Sequence, residues 1–165
     1  MGRNGCRAAG LAALLVTVAA RQGWSQQVSA AEQAAVTDTI KARAGLFAQR
    51  LAPGKLGDFL ALFANDADFI YVDGGNIYPT RAALGRAATG FFGSLKTGGG
   101  SWDKQQIVVL SPTAGSFTGV FRSAISDTTG KAIWTNGKVW TLVFQRRAGA
   151  WLIVQAHEAT VPAPK

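Results

Sequence analysis

The stretch "VWTLVFQRRAGAWLIVQAHEAT", residues 139–160, decides how the rest of the chain is read. Two runs of β-forming residues flank Arg147-Ala148-Gly149, a short loop of the kind that closes a hairpin. In the first run Trp140, Leu142 and Phe144 point one way while Val139, Thr141 and Val143 point the other, so both faces are apolar. Such a sheet needs cover on both sides. The second run ends in His157, the only histidine of the chain, and Glu158.

Working outward, four β-type runs are expected at 102–110, 116–126, 132–146 and 150–160. Ser111-Pro112 and Asp127-Thr128-Thr129-Gly130 supply the other loops between them. Ahead of "TGGG" the period is helical. Ser29-Ala30-Ala31-Glu32 is a capping box, followed by Ala35, Ile40, Ala44, Phe47 and Leu51 at helical spacing, and Pro53-Gly54 stops that helix. A short helix over 55–64 carries Phe59, Leu60 and Phe63 on one side. "ADFIYV", residues 67–72, predicts a strand ended by Asp73-Gly74-Gly75, and Thr80 caps a third helix over 81–96. Helices first and a long antiparallel meander after them define an α+β arrangement. The helices cover one sheet face, and a second copy of the sheet is the economical cover for the other, so a homodimer through the sheet is expected.

Composition narrows the function classes. At 165 residues, with 48% hydrophobic and 16% charged residues, the chain is globular and long enough for a real core. Seventeen Lys plus Arg against nine Asp plus Glu give +8, but the cations are scattered and only Arg146-Arg147 are adjacent. That pattern predicts a solvated basic surface and no nucleic-acid partner.

The first residues, "MGRNGCRAAGLAALLVTVAARQGWSQQ", place Arg3 and Arg7 before an apolar stretch over 8–20. The stretch is too short to span a bilayer and suits a secretory signal peptide, with cleavage near Ala20 or Ser25. The expected organisation is a signal peptide at 1–20, a linker at 21–29 and one domain at 30–165. An exported protein follows, periplasmic or secreted, with no stable membrane anchor. The sole cysteine, Cys6, would leave with the signal peptide, which removes disulfides and thiol catalysis from consideration.

Two stretches carry a family resemblance. "ALFANDADFIYVDGG", residues 61–75, looks like the helix-to-strand junction of the SnoaL-like and ketosteroid-isomerase-like proteins of the nuclear transport factor 2-like superfamily. The stretch at 139–160 resembles the closing hairpin of the same group, and the likeness covers about 31–160. The resemblance implies a curved antiparallel sheet wrapped around a long N-terminal helix, a cone whose pocket binds small apolar or polyketide-like molecules. An ungapped match places the steroid isomerases' general-base aspartate at Tyr71 and their oxyanion tyrosine at about Phe47. A phenol with pKa near 10 is a poor base at neutral pH, which argues against the steroid-isomerase reaction.

Residue by residue, the resemblance turns Tyr71 inward, and strand alternation puts Phe69 and Asp73 on its face. The same alternation puts His157 on one face with Trp151, Ile153 and Gln155, and the resemblance turns that face toward the pocket. His157 is then either the pocket's acid–base group or the hydrogen-bonded wet end of a buried strand, while Glu158 diverges to a surface or interface. Phe63 and Phe92 complete the expected ligand-binding set of Tyr71, Phe69, Asp73 and Trp151. Asp66 and Asp68 read as capping or solvated groups, and Arg122 as a snorkelling side chain or the holder of an acid. Trp102, Trp134, Trp140 and Trp151 read mostly as core and interface, with Trp140 or Trp151 near the dimer contact.

One histidine, no cysteine after cleavage and no spaced carboxylate cluster make no zinc site. "GSFTG" lacks nucleophile-elbow spacing and "TGGGS" lacks the lysine and helix of a phosphate loop, so neither a metal nor a cofactor is expected. Three functions remain. The chain is an exported binder of a small, mainly apolar molecule, or an isomerase, cyclase or dehydratase using His157, or an interaction module whose cone is packed shut.

Overall fold

The structure is a computed structural model that describes residues 28–161. The expected signal peptide and Cys6 lie outside the described residues.

Helix α1 (Ala30–Arg50) opens on the capping box expected from sequence: the Ser29 hydroxyl accepts from the Glu32 N–H, and the Glu32 carboxylate accepts from the Ser29 N–H. Its buried residues Val36, Ile40, Ala44, Phe47 and Ala48 recur at helical spacing and form one stripe. Helix α2 (Leu56–Leu60) follows, then strands β1 (Ile70–Asp73) and β2 (Asn76–Tyr78). These two pair antiparallel around Gly74-Gly75, whose φ values of 55° and 86° favour glycine. Thr80 caps helix α3 (Arg81–Gly93) by accepting from the Ala83 N–H.

The rest is sheet: β3 (Leu95–Thr97), β4 (Gly100–Ser111), β5 (Ala114–Ser123), β6 (Ser126–Asp127), β7 (Lys138–Arg147) and β8 (Ala150–Thr160). Six strands form one sheet in the order β2-β1-β8-β7-β5-β4, and β3 with β6 forms a two-stranded flap. The sheet is mixed, because β1 runs parallel to β8, and this corrects the all-antiparallel expectation. The β7–β8 hairpin closes on Ala148 and Gly149, both at positive φ, as a tight hairpin turn requires. Residues 132–137, expected as strand, lie outside β7, where Trp134 and Gly137 take positive φ.

The concave face holds α1. Phe47 sits at the hub, its ring 5.2 Å from Phe59, 6.2 Å from Phe63, 5.9 Å from Trp102 and 5.3 Å from Trp140. The Trp102 indole N–H donates to the Ala44 carbonyl at 2.7 Å, tying β4 to the helix. A Cβ at Gly115 would lie 2.5 Å from Ile40 Cδ1 of α1 and 2.9 Å from the Val108 carbonyl oxygen of β4, so a side chain there would crowd both neighbours.

One irregularity governs the site. Val143 pairs with Gln155 while the adjacent Phe144 pairs with Ile153, leaving Val154 as an extra residue in β8. This is a β-bulge. Ile153 and Val154 are consecutive yet both buried, and beyond them the alternation is reversed. The bulge sits where β8 changes neighbours: Ile153 exchanges backbone hydrogen bonds with Leu62 and Ala64, whereas Gln155 onward pairs with β1.

Candidate functional site

The open end of the cone holds a cavity of about 260 Å³. Its walls come from the ends of β1, β2, β7 and β8 and from one face of α3. Leu84, Ala88, Phe91 and Phe92 of α3, with Phe59, Trp134 and Trp140, supply the apolar surface. Phe91 stacks on Trp134 at 5.0 Å between ring centroids.

Strand register assembles the polar part. Asp73 of β1 stands beside Glu158 of β8, which stands opposite Trp140 of β7. One step deeper is Tyr71, and one step toward the mouth Lys138 pairs with Thr160. The Tyr71 hydroxyl donates to Glu158 Oε2 at 3.0 Å and accepts from the Trp140 indole N–H at 3.2 Å. Lys138 Nζ lies 2.5 Å from Glu158 Oε1, donates to Thr160 Oγ1 at 3.1 Å, and stands 5.2 Å from the Trp134 ring centroid. Glu158 is only 5% exposed. The Lys138 ammonium is the only polar partner of Glu158 Oε1 among the described residues.

The electrostatics follow from burial. Desolvation pushes the Glu158 carboxyl above its ordinary value; the Asp73 carboxylate adds to this, and the contacts with Lys138 and Tyr71 oppose it. Burial also holds the Tyr71 phenol well above its usual pKa, reinforced by the Glu158 charge. A carboxyl with raised pKa, enclosed by rings and facing a cavity, can accept a hydrogen bond, exchange a proton or hold a positive charge.

The residues expected from sequence divide. Tyr71, Asp73 and Phe92 line the cavity. Phe63 and Phe69 are buried in the core behind it, their rings 5.7 Å apart. Trp151 is elsewhere, at a shallow surface depression with Ala35, Val36 and Thr39 of α1. His157 is the principal correction: it is exposed on the convex face of the sheet, pairing with Val72 and Thr141, and it is not in the cone. Glu158, expected outside, takes the inward place. The Val154 bulge is the reason, since one extra residue exchanges the two faces of a strand. Trp140, expected near a dimer contact, is buried in the core.

Asp66 accepts from the Asp68 N–H, as capping predicts, and both pair with Arg147. Arg122 holds an acid, Asp103, at 2.9 Å.

Lys138, Glu158 and Trp134 are the site residues that sequence reading did not place. A signal for Glu158 was present: Gln155 and His157 are polar at alternate positions, whereas Ala156 shares the face of Glu158. No comparable signal marked Lys138. Among the described residues no group of three or more His, Cys, Asp or Glu could hold a metal, and no helix is long and apolar enough to cross a membrane.

No protein-family model matches the sequence, and no curated protein matches it. Solved structures do. A proposed scytalone dehydratase from Novosphingobium aromaticivorans superposes with a TM-score of 0.68 at 12% identity, covering 81% of this chain and 89% of that one. A proposed dehydratase from the NTF2-like family of Streptomyces avermitilis gives 0.67 at 16% identity, covering 79% and 99%. The association domain of C. elegans CaMKII gives 0.59 at 15% identity, covering 80% and 100%. The fold is therefore the nuclear transport factor 2-like cone, as the two sequence stretches implied.

Proposed function

We propose that the protein is an exported binder of a small, mainly apolar molecule, held in the open end of the cone. The observation that carries this reading is the cavity itself, walled by rings and floored by the Tyr71–Glu158–Lys138 cluster. Apolar walls with a few convergent polar groups are the ordinary anatomy of a ligand site. Export rests on the basic and then apolar N-terminus, with cleavage near Ala20 or Ser25. Mass spectrometry of small molecules released from protein recovered from the producing cell's envelope or medium tests both parts. A stoichiometric apolar compound on a chain beginning near Arg21 or Gln26 is expected. An intact Met1 on cytoplasmic protein refutes export, and an empty cavity that takes up no small apolar probe refutes binding.

A second reading is proton-transfer catalysis, with Glu158 in the role first expected of His157. The raised pKa of a carboxyl inside the cavity favours it, because a general acid–base works best with a pKa near the operating pH. The dehydratases among the fold neighbours are in keeping with it. Turnover lost in Glu158→Gln and retained in His157→Ala supports this reading, and tight binding without turnover supports the first.

Two copies are proposed to meet through the convex sheet face. Ser116, Thr118 and Val120 of β5 and Val139, Thr141 and Val143 of β7 make a half-buried, uncharged patch there. A second copy of the same patch satisfies it with two-fold symmetry.

A further inference from the structure

The polar groups of the cavity are unequally spent. Three of the donors are committed: Trp140 N–H to Tyr71, Tyr71 O–H to Glu158, and the Lys138 ammonium to Glu158 and Thr160. One acceptor is not: Glu158 is answered by Lys138 on one oxygen and Tyr71 on the other, whereas Asp73, half-buried on the neighbouring strand, makes no ion pair among the described residues. Two carboxylates therefore face the cavity and one ammonium answers them, leaving an excess negative charge beside Asp73. The rings of Tyr78, Phe91 and Trp134 line the same space, and aromatic faces attract cations. A low-dielectric cleft strengthens the field of an uncompensated charge. An anion entering here meets the Asp73 carboxylate, which repels it. A neutral alcohol satisfies one acceptor and leaves the charge unanswered.

We propose that the ligand is a small organic cation: a protonated amine on a compact apolar body, its ammonium between Asp73 and Glu158 and its body against the rings of α3 and Trp134. The cavity of about 260 Å³ lies just below the ~300–1,000 Å³ usual for ligand sites, so the body is small. This inference rests on the binding reading above and deepens it.

Three isosteric probes separate the two. Titration calorimetry of the full-length chain at pH 7 and low salt uses benzylammonium, benzyl alcohol and benzoate. Benzylammonium is expected to bind about ten-fold more tightly than benzyl alcohol, a preference of the size one desolvated charge or cation–π contact produces, with benzoate weakest. Added salt should erode the preference. Asp73→Asn should bring the ammonium-to-alcohol ratio toward one, and Asp38→Asn on the exposed side of α1 should leave that ratio in place. Alcohol or benzoate binding as tightly as the amine overturns the cation inference and leaves the binding reading standing, as does a preference that survives Asp73→Asn. If none of the three binds, both fall together.

Discussion

Lys138 and Glu158 meet at 2.5 Å inside the cone, their side chains 11% and 4% exposed, on strands that are adjacent in the sheet but register them two residues apart. An ion pair so placed loses most of the hydration of both ions, so its value depends on both partners being present. Removing one leaves an uncompensated buried charge. Lys138→Met should therefore cost about 3 kcal/mol, and the double variant Lys138→Met with Glu158→Leu should cost much less than the two single changes added together. Urea unfolding of the four proteins measures this. Additive losses would mean that the pair is not coupled.

The raised Glu158 pKa makes a signed statement about pH. A carboxyl whose folded pKa exceeds its unfolded value binds more protons in the folded state across that window. Stability from this group is then present at the acid end and is lost as pH climbs from the ordinary carboxylate range through the raised value. Other carboxyls such as Asp103 and Asp127 are shifted downward and slope the opposite way, but they are common to wild type and variant. The stability of wild type minus that of Glu158→Gln should fall with rising pH through this window. A difference that rises with pH would reverse the assignment.

His157→Ala should leave the affinity for benzylammonium or benzyl alcohol within about two-fold and monomer stability within about 0.5 kcal/mol, as for an exposed position. A loss of probe affinity as large as that of a cavity variant would mean that the histidine reaches the cone after all.

Thr141→Arg places a charge in the middle of the convex face, in register with Thr118 and His157. Light scattering should find the wild type at twice the chain mass and Thr141→Arg at the chain mass, with binding to the cavity retained. A monomeric wild type at tens of micromolar would remove the proposed dimer.

Deleting Val154 tests the bulge. Without the extra residue, either Ile153 leaves its bonds to Leu62 and Ala64, or Glu158 turns outward and His157 inward. Both outcomes break the core, so the deletion should abolish cooperative unfolding, whereas Val154→Ala should be tolerated at a cost of about 1–2 kcal/mol. A deletion variant as stable as wild type would show that the bulge governs nothing.

Much of the fold was legible because it is written in local chemistry. The Ser29–Glu32 box, the stripe from Ile40 through Phe47, the Thr80 cap, the glycine turn after Asp73 and the tight loop at Ala148-Gly149 each follow from a few consecutive residues. The two-faced apolar character of β7 likewise appears in the structure as Trp140, Leu142 and Phe144 buried and Val139, Thr141 and Val143 half-buried. The parallel pairing of β1 with β8 was not legible, since a strand carries no mark of its neighbour's direction.

The site divides along the same line. Tyr71 could be placed at the cavity because the family resemblance turns it inward, and Asp73 follows from it by strand alternation, although the same alternation set Phe69 there and it lies in the core behind. Lys138 and Trp134 could not, because each depends on pairings made far away in the chain, and the alternation that marks Glu158 after Gln155 cannot be joined to the run before it. In "WLIV" every residue is apolar, so parity cannot be read through the run, and the bulge at Val154 becomes visible only against Phe144 and the segment at Leu62–Ala64 that grips Ile153. Sequence alone determined the main helices and the long strands, though not 132–137 or the short strands β2 and β3, and which side chains want burial, because those are properties of a few adjacent residues. Only tertiary structure decided which of two neighbours, His157 or Glu158, faces the cone, because a one-residue shift costs nothing locally and is selected by the partners on either side.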